Sequence, residues 1–317
     1  MMRHISNKLF SLLAAIVLIL FSSLLSAADL QRKLTNFDCR VIEETPSNTS
    51  SDARYSNALL WKVSKISYPP SYVFGTIHVS DPRITNLPEL VKSALSNSDI
   101  FVMEALPTPE EALLLSQMMF YADGTTLKDY LNDDLFNRTA EVLLTFQLPV
   151  EAVAVMRPWA AFLMMNYPAD NTMPLDLKLF EIAMSQGART VGLETLSEQG
   201  AVFSEMALED QLRLLLDTVC NYDSFNQNIE KMKQLYLDKN LNGLLSAGTQ
   251  HPYADEPVYK ELNRRLLTDR NKIMAEKMQA VLQEGDAFIA IGALHLPGND
   301  GVLARLNKQG YKITAIY

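Results

Sequence analysis

Two short stretches of this chain share one pattern of chemistry-bearing residues. The first reads Tyr72-Val73-Phe74-Gly75-Thr76-Ile77-His78-Val79, the second Phe288-Ile289-Ala290-Ile291-Gly292-Ala293-Leu294-His295-Leu296. Each is an apolar run of β type, then Gly, two residues, His and an apolar residue. The chain has 4 histidines. His4 lies in the leader and His251 in a polar loop between Gln250 and Pro252, so the other two both occupy this motif. Two carboxylates stand at comparable places, Glu104 after Ile100-Phe101-Val102-Met103 and Glu194 after Val191-Gly192-Leu193. In α/β sheets, ligands gather at the carboxyl ends of strands. A lone histidine or glutamate at a strand end is usually a core or surface residue. A duplicated Gly-x-x-His with two strand-end carboxylates is a stronger signal. Imidazole and carboxylate donors together suit zinc, manganese, iron or cobalt. Such an ion polarises a carbonyl and acidifies water, which is the chemistry of hydrolysis. Gly75 and Gly292 suit close approach of backbone or ligand.

The elements that must position these groups are legible in outline. Residues 58–66 and 71–78 read as an antiparallel hairpin or meander joined by Ser67-Tyr68-Pro69-Pro70. A helix is expected over 87–95, with Asn86 as N-cap and Pro88 at its first position. Residues 99–105 read as a strand buried on both faces. Residues 108–166 are helical and rich in Leu and Met. Met118, Met119, Met156, Met164 and Met165 there read as adaptable core filler, with an apolar ligand-gripping face as the alternative. Further helices are expected over 176–185, from Ser197, over 208–219, over 225–245 in one or two pieces, over 261–282 and over 302–307. Strands are expected at 189–193, 286–294 and 311–317. The fold class is therefore α/β (α+β). One mixed sheet is built from N- and C-terminal strands, and a long helical middle packs on or caps it. The single domain spans 57–317, with a helical insertion at about 108–185.

Residues 1–28 carry Arg3 and Lys8, an apolar run and Ser26-Ala27-Ala28, the order of a cleavable secretory signal; an uncleaved anchor is the alternative. Residues 29–56 read as a flexible leader. A periplasmic or secreted location follows, with no stable membrane span after cleavage. The formal charge of −9 excludes an electrostatic footprint for nucleic acid. Cys39 and Cys220 are the only cysteines. In an exported protein they are free to pair, and neither has the neighbours of a zinc site.

The pieces Phe74-Gly75-Thr76-Ile77-His78, Val102-Met103-Glu104, Pro174-Leu175-Asp176, Gly192-Leu193-Glu194-Thr195, Arg270-Asn271 and Gly292-Ala293-Leu294-His295-Leu296 stand in a particular order. In that order the chain resembles the TraB/GumN family, which includes the PrgY pheromone-shutdown proteins and the animal Tiki proteins. The resemblance runs from about residue 58 to 317. It implies a fold like that of erythromycin-esterase and ChaN-like proteins, and a metal-dependent hydrolase of Tiki type. Carried over, it makes His78, Glu104 and His295 metal ligands or catalytic groups. Arg270 and Asn271 become supporting polar groups for a substrate oxygen, and Glu194 a motif residue without an assigned role.

The leading expectation is an exported metal-dependent hydrolase, peptidase-like. A divalent ion (Mn, Co, Zn or Fe) sits on His78, Glu104 and His295, with Glu104 as ligand or general base, and the substrate is a peptide or other small molecule. The alternatives are a non-catalytic protein that sequesters a peptide signal or a haem-like ligand, and a metal-free hydrolase using His and Glu as acid and base.

Overall fold

In the computed structural model, residues 54–167, 172–249 and 253–317 are described. The leader through residue 53, with Cys39, and His251 lie outside them. Six strands form one mixed sheet: β1 (Leu60–Lys65), β2 (Tyr68–Thr76), β3 (Ile100–Ala105), β4 (Arg189–Glu194), β5 (Ala287–Gly292) and β6 (Lys312–Ala315), in the order β4-β3-β5-β2-β1-β6. β5 lies between β2 and β3 and runs parallel to both, and β4 runs parallel to β3. β1 is antiparallel to β2 and β6. Thr76 pairs with Gly292, and Ala105 with Glu194. The register therefore brings the carboxyl ends of four parallel strands to one edge. β5 is Ala-Phe-Ile-Ala-Ile-Gly, buried through its first five residues. Such a continuous apolar run suits a parallel strand covered on both faces.

The described residues form thirteen α-helices besides the sheet: α1 (Pro82–Thr85), α2 (Glu89–Ser96), α3 (Pro109–Met119), α4 (Asp133–Leu144), α5 (Val150–Ala154), α6 (Pro158–Met165), α7 (Leu175–Ser185), α8 (Leu196–Ser204), α9 (Leu208–Leu237), α10 (Leu241–Thr249), α11 (Pro257–Asn263), α12 (Arg270–Glu284) and α13 (Val302–Lys308). The mixed α/β class read from the sequence is the one observed. Two apolar cores result. One joins the sheet to α2, α7, α12 and α13. The other is formed mainly by helices and built on Phe136, Met156, Trp159, Met165, Leu212, Leu216 and Val258. Met156 and Met165 are fully buried in it, and Met118, Met119 and Met164 pack against it. These methionines are core filler, as their flexible thioethers allow.

Three local expectations are corrected. Asn86 does not cap α2; Pro88 occupies the N-cap position, and Asn86 instead ends α1. The expected break near residue 220 is absent, because α9 runs unbroken for 30 residues. No Gly or Pro interrupts it, and its polar residues bond back into the helix: Asn221 Nδ2 donates to the Asp217 carbonyl and Ser224 Oγ to that of Asn221. β5 stops at Gly292, and Ala293–His295 forms a 3-10 turn. Among the described residues no helix is long and apolar enough to cross a membrane. Cys220, on α9, is disulfide-bonded.

α9 links both cores. Leu212, Leu215 and Leu216 belong to the helical one, and Tyr236, near its other end, to the sheet. The buried Tyr236 hydroxyl donates to the Gly75 carbonyl at 2.7 Å, inside the first motif. Tyr236→Phe is expected to cost about 1–3 kcal/mol, the range for orphaning a buried partner, read as a lower urea midpoint at unchanged slope.

Candidate functional site

His295 is held by a neutral amide. The 3-10 turn folds its ring back over Gly292; a Cβ on that glycine would meet His295 Cδ2 at 3.4 Å and Glu104 Oε1 at 3.1 Å. The side chain is 6% exposed. His295 Nδ1 lies 2.6 Å from Asn271 Oδ1, and Asn271 Nδ2 donates to the Asp300 carbonyl at 3.1 Å. That second bond fixes which end of the amide faces the ring, so Nδ1 carries the proton and donates. Burial pushes the imidazole down to about 4, with Arg270 and His78 adding to it against Glu104. The ring is therefore neutral at pH 7, with its free lone pair on Nε2. That nitrogen lies 3.7 Å from Glu104 Oε1, too far for a hydrogen bond.

Glu104 is tied down on both oxygens. Oε1 accepts the Gly292 N–H at 2.7 Å. Oε2 accepts from Arg270 Nη2 at 2.6 Å and from Gln199 Nε2 at 3.1 Å. Burial opposes its ionisation, but Arg270, then His295 and His78, outweigh it and hold the carboxyl far below its ordinary range. Arg270 also grips Glu194 through Nε at 3.1 Å and Nη2 at 2.7 Å. Its guanidinium thus bridges two carboxylates, and Gln199 bridges the same two through Nε2. Burial works against the guanidinium's charge, but Glu104 and Glu194 overcome it and raise its proton affinity further. A π-helical segment, Arg264–Asp269, precedes Arg270 and continues into α12. Its extra residue per turn shifts the face on which Arg270 and Asn271 emerge.

His78 lies two residues beyond β2 and is 47% exposed. Its Nδ1 is 2.7 Å from Asp176 Oδ2. The other Asp176 oxygen accepts a hydrogen bond from Thr76 Oγ1. Tyr167 lies against the ring with centroids 5.8 Å apart. Desolvation lowers the proton affinity of His78, but Asp176, then Tyr167 and Glu104, outweigh it, and the imidazole titrates well above its ordinary value. The segment after His78 is braced: Asp81 caps α1 by accepting from the Arg83 N–H, pairs with the Arg83 side chain, and meets Lys233 of α9 at 3.5 Å. The Leu175 N–H donates to the Val79 carbonyl, fastening α7 to the same segment.

Of the residues singled out in the sequence, Glu104, Glu194 and Arg270 thus form one hydrogen-bonded cluster, and Asn271 and His295 form a bonded pair beside it, with His295 Nε2 3.7 Å from Glu104 Oε1. His78 adjoins it and acts on both Glu104 and His295 electrostatically. Asn271 has both ends committed within the protein. Arg270 commits Nε and Nη2 to carboxylates, and Nη1 reaches only the Leu266 carbonyl at 3.5 Å. Both residues bond other side chains of the site. Sequence reasoning gave no role to Asp176, Thr76, Gln199, Tyr167 or Tyr236. Asp176 and Thr76 stood inside the quoted motif pieces, but nothing local shows that residues 100 apart meet. Gln199 carries no signal beyond the capping box of Thr195 and Glu198 that opens α8.

The two lone-pair atoms His295 Nε2 and Glu104 Oε1 face each other with no proton between them. Such an arrangement suits a cation, and their separation is less than twice a metal–ligand bond of about 2.1 Å. The donors present fit a divalent ion of the N/O type. Among the described residues, no three His, Cys, Asp or Glu side chains are gathered tightly enough to enclose one.

The fold and site together define a mixed α/β protein whose first and last parallel strands converge on a His/Glu/Arg centre. The family model described as TraB/PrgY/gumN matches residues 59–315, and the chain belongs to that family. Its curated relatives include metalloprotease TIKI2 of Danio rerio, 26% identical over 81% of this chain and 60% of the relative. Metalloprotease TIKI1 of Homo sapiens is 24% identical over 81% and 61%. The metalloprotease TIKI homolog of Amphimedon queenslandica is 24% identical over 86% and 64%. The chain thus spans about 60% of the length of such relatives. No solved structure matches.

Proposed function

We propose that the chain is an exported metal-dependent hydrolase acting on peptides or similar small substrates. The observation that carries this reading is the pair of opposed acceptors, neutral His295 Nε2 and ionised Glu104 Oε1, 3.7 Å apart. The names of the relatives, all metalloproteases, support the same class. In this reading His295, Glu104 and His78 hold the ion. When bound, a divalent ion polarises a substrate carbonyl and makes water nucleophilic at neutral pH. Glu104 is suited to ligation over general-base work. Its carboxyl is far too acidic to take a proton at pH 7, where a useful base has a pKa near the working pH. Arg270 and Gln199 keep that carboxylate charged and aimed, and Glu194 balances the guanidinium. Asn271 holds the proton of His295 on Nδ1, away from the site. Export rests on residues 1–28.

The test is metal content. The purified protein is expected to retain a stoichiometric divalent ion, and His78→Ala and His295→Ala each to lose it, measured by elemental analysis after gel filtration. Undiminished metal in both variants would sink the proposal. Peptide cleavage that survives chelation would point to acid–base hydrolysis without metal. A haem absorption band without cleavage would point to a sequestering protein.

A further inference from the structure

We propose that Thr76 and Asp176 act as a two-residue device that fixes the proton of the neutral His78 ring on Nδ1 and leaves Nε2 as its lone-pair nitrogen. Four observations carry it. Asp176 Oδ2 is 2.7 Å from His78 Nδ1. A carboxylate has no hydrogen to give, so the ring nitrogen facing it must be the donor. The second oxygen, Oδ1, is taken by the Thr76 hydroxyl, which leaves the carboxylate one orientation. Asp176 sits in the first turn of α7, where the exposed N–H groups favour a negative charge. That helix is pinned to the strand end by the Leu175-to-Val79 hydrogen bond. The device mirrors the arrangement at His295, where the Asp300 carbonyl orients Asn271 as Thr76 orients Asp176. Each histidine is thus held by a side chain whose own direction is set by a further hydrogen bond. Outer-shell partners of this kind orient ligating histidines.

The inference deepens the proposed metal site and rests on it for its purpose, but the tautomer is a property of the metal-free protein and is tested there. Asp176→Leu keeps most of the volume and removes the acceptor, whereas an amide at this position could turn either way, because the Thr76 hydroxyl can donate or accept. The experiment is long-range 1H–15N correlation on metal-free, histidine-labelled protein, at a pH where the ring is neutral. His78 is expected as the Nδ1–H tautomer in the native sequence and as predominantly Nε2–H, the form a free imidazole favours, in Asp176→Leu. Cobalt affinity, measured by competition with a chromophoric chelator, should fall about 10–100-fold in Asp176→Leu and by less in Thr76→Val, which loosens the carboxylate without removing it. An Nε2–H ring in the native sequence, or a tautomer unmoved by Asp176→Leu, overturns the proposal. If the tautomers behave as stated while no form binds cobalt, the positioning device stands and the metal reading of the site falls.

Discussion

Arg270→Met is expected to lower the stability of the metal-free protein by about 3–5 kcal/mol, the range for removing one partner of a buried ion pair. Among the described residues the guanidinium is the cation bonded to both Glu104 and Glu194, whose side chains are 13% and 5% exposed. Methionine fills the volume and removes the charge, leaving two carboxylates crowded together. The sign of the pH dependence separates this account from a simple packing loss. In the native chain the Glu104 carboxyl is held below its unfolded value. Its stabilisation is therefore complete above about pH 4.3, the ordinary glutamate pKa, and is lost as pH falls below that. In the variant the shift reverses. Two uncompensated buried carboxylates bind a proton more tightly folded than unfolded, so the folded state gains as pH falls. Urea denaturation at pH 7.5 and pH 5 should show the gap between the two proteins narrowing at the lower pH. Parallel stabilities across that interval would rule the account out.

Gly75→Val should disable the site with modest loss of fold. A Cβ at Gly75 would lie 2.7 Å from Leu296 Cδ1 and 3.2 Å from the Ala293 Cα. Leu296 can turn aside, but Ala293 begins the turn that carries His295. The first motif thus gives up a side chain so that the second can lie against it. Overpacking of this kind costs about 1–3 kcal/mol. The larger effect is positional, since a displacement near 1 Å can cost about 10²-fold in rate. Metal affinity and peptide cleavage should therefore fall far more than the urea midpoint. A variant with native metal affinity and a lowered midpoint would show that the contact serves stability alone.

The elements that carry the site were legible because each is apolar for its own reason. β3 and β5 are buried on both faces and read as unbroken hydrophobic runs, and the polar residue at the end of each run marks where the run leaves the sheet. The chemistry-bearing residues His78, Glu104, Glu194 and His295 could be named for that reason. What holds them was not legible. Asp176 meets His78 only because α7 is tied to the strand end, and a side chain that acts across 98 positions leaves no spacing to read. The continuity of α9 was missed because Asn, Asp and Ser favour turns when their side chains compete with the backbone. Here Asn221 and Ser224 spend theirs on the helix itself.

The placement of β5 has a consequence for how the molecule comes into being. It lies at the middle of the sheet, yet nearly all of the chain precedes it. Until residues 287–292 have emerged from the ribosome, β2 and β3 have no strand between them, and the hairpin of β1 with β2 and the pair of β3 with β4 are separate pieces. Such long-range pairing is slow and leaves strand edges open while it is awaited. A nascent chain stopped before Ala287 would hold Glu104, Glu194 and Arg270 but neither Gly292 nor His295, so no partial translation product could carry a working centre. On the proposed reading, topology in this way keeps a hydrolytic centre unassembled until residues 287–295 have been made.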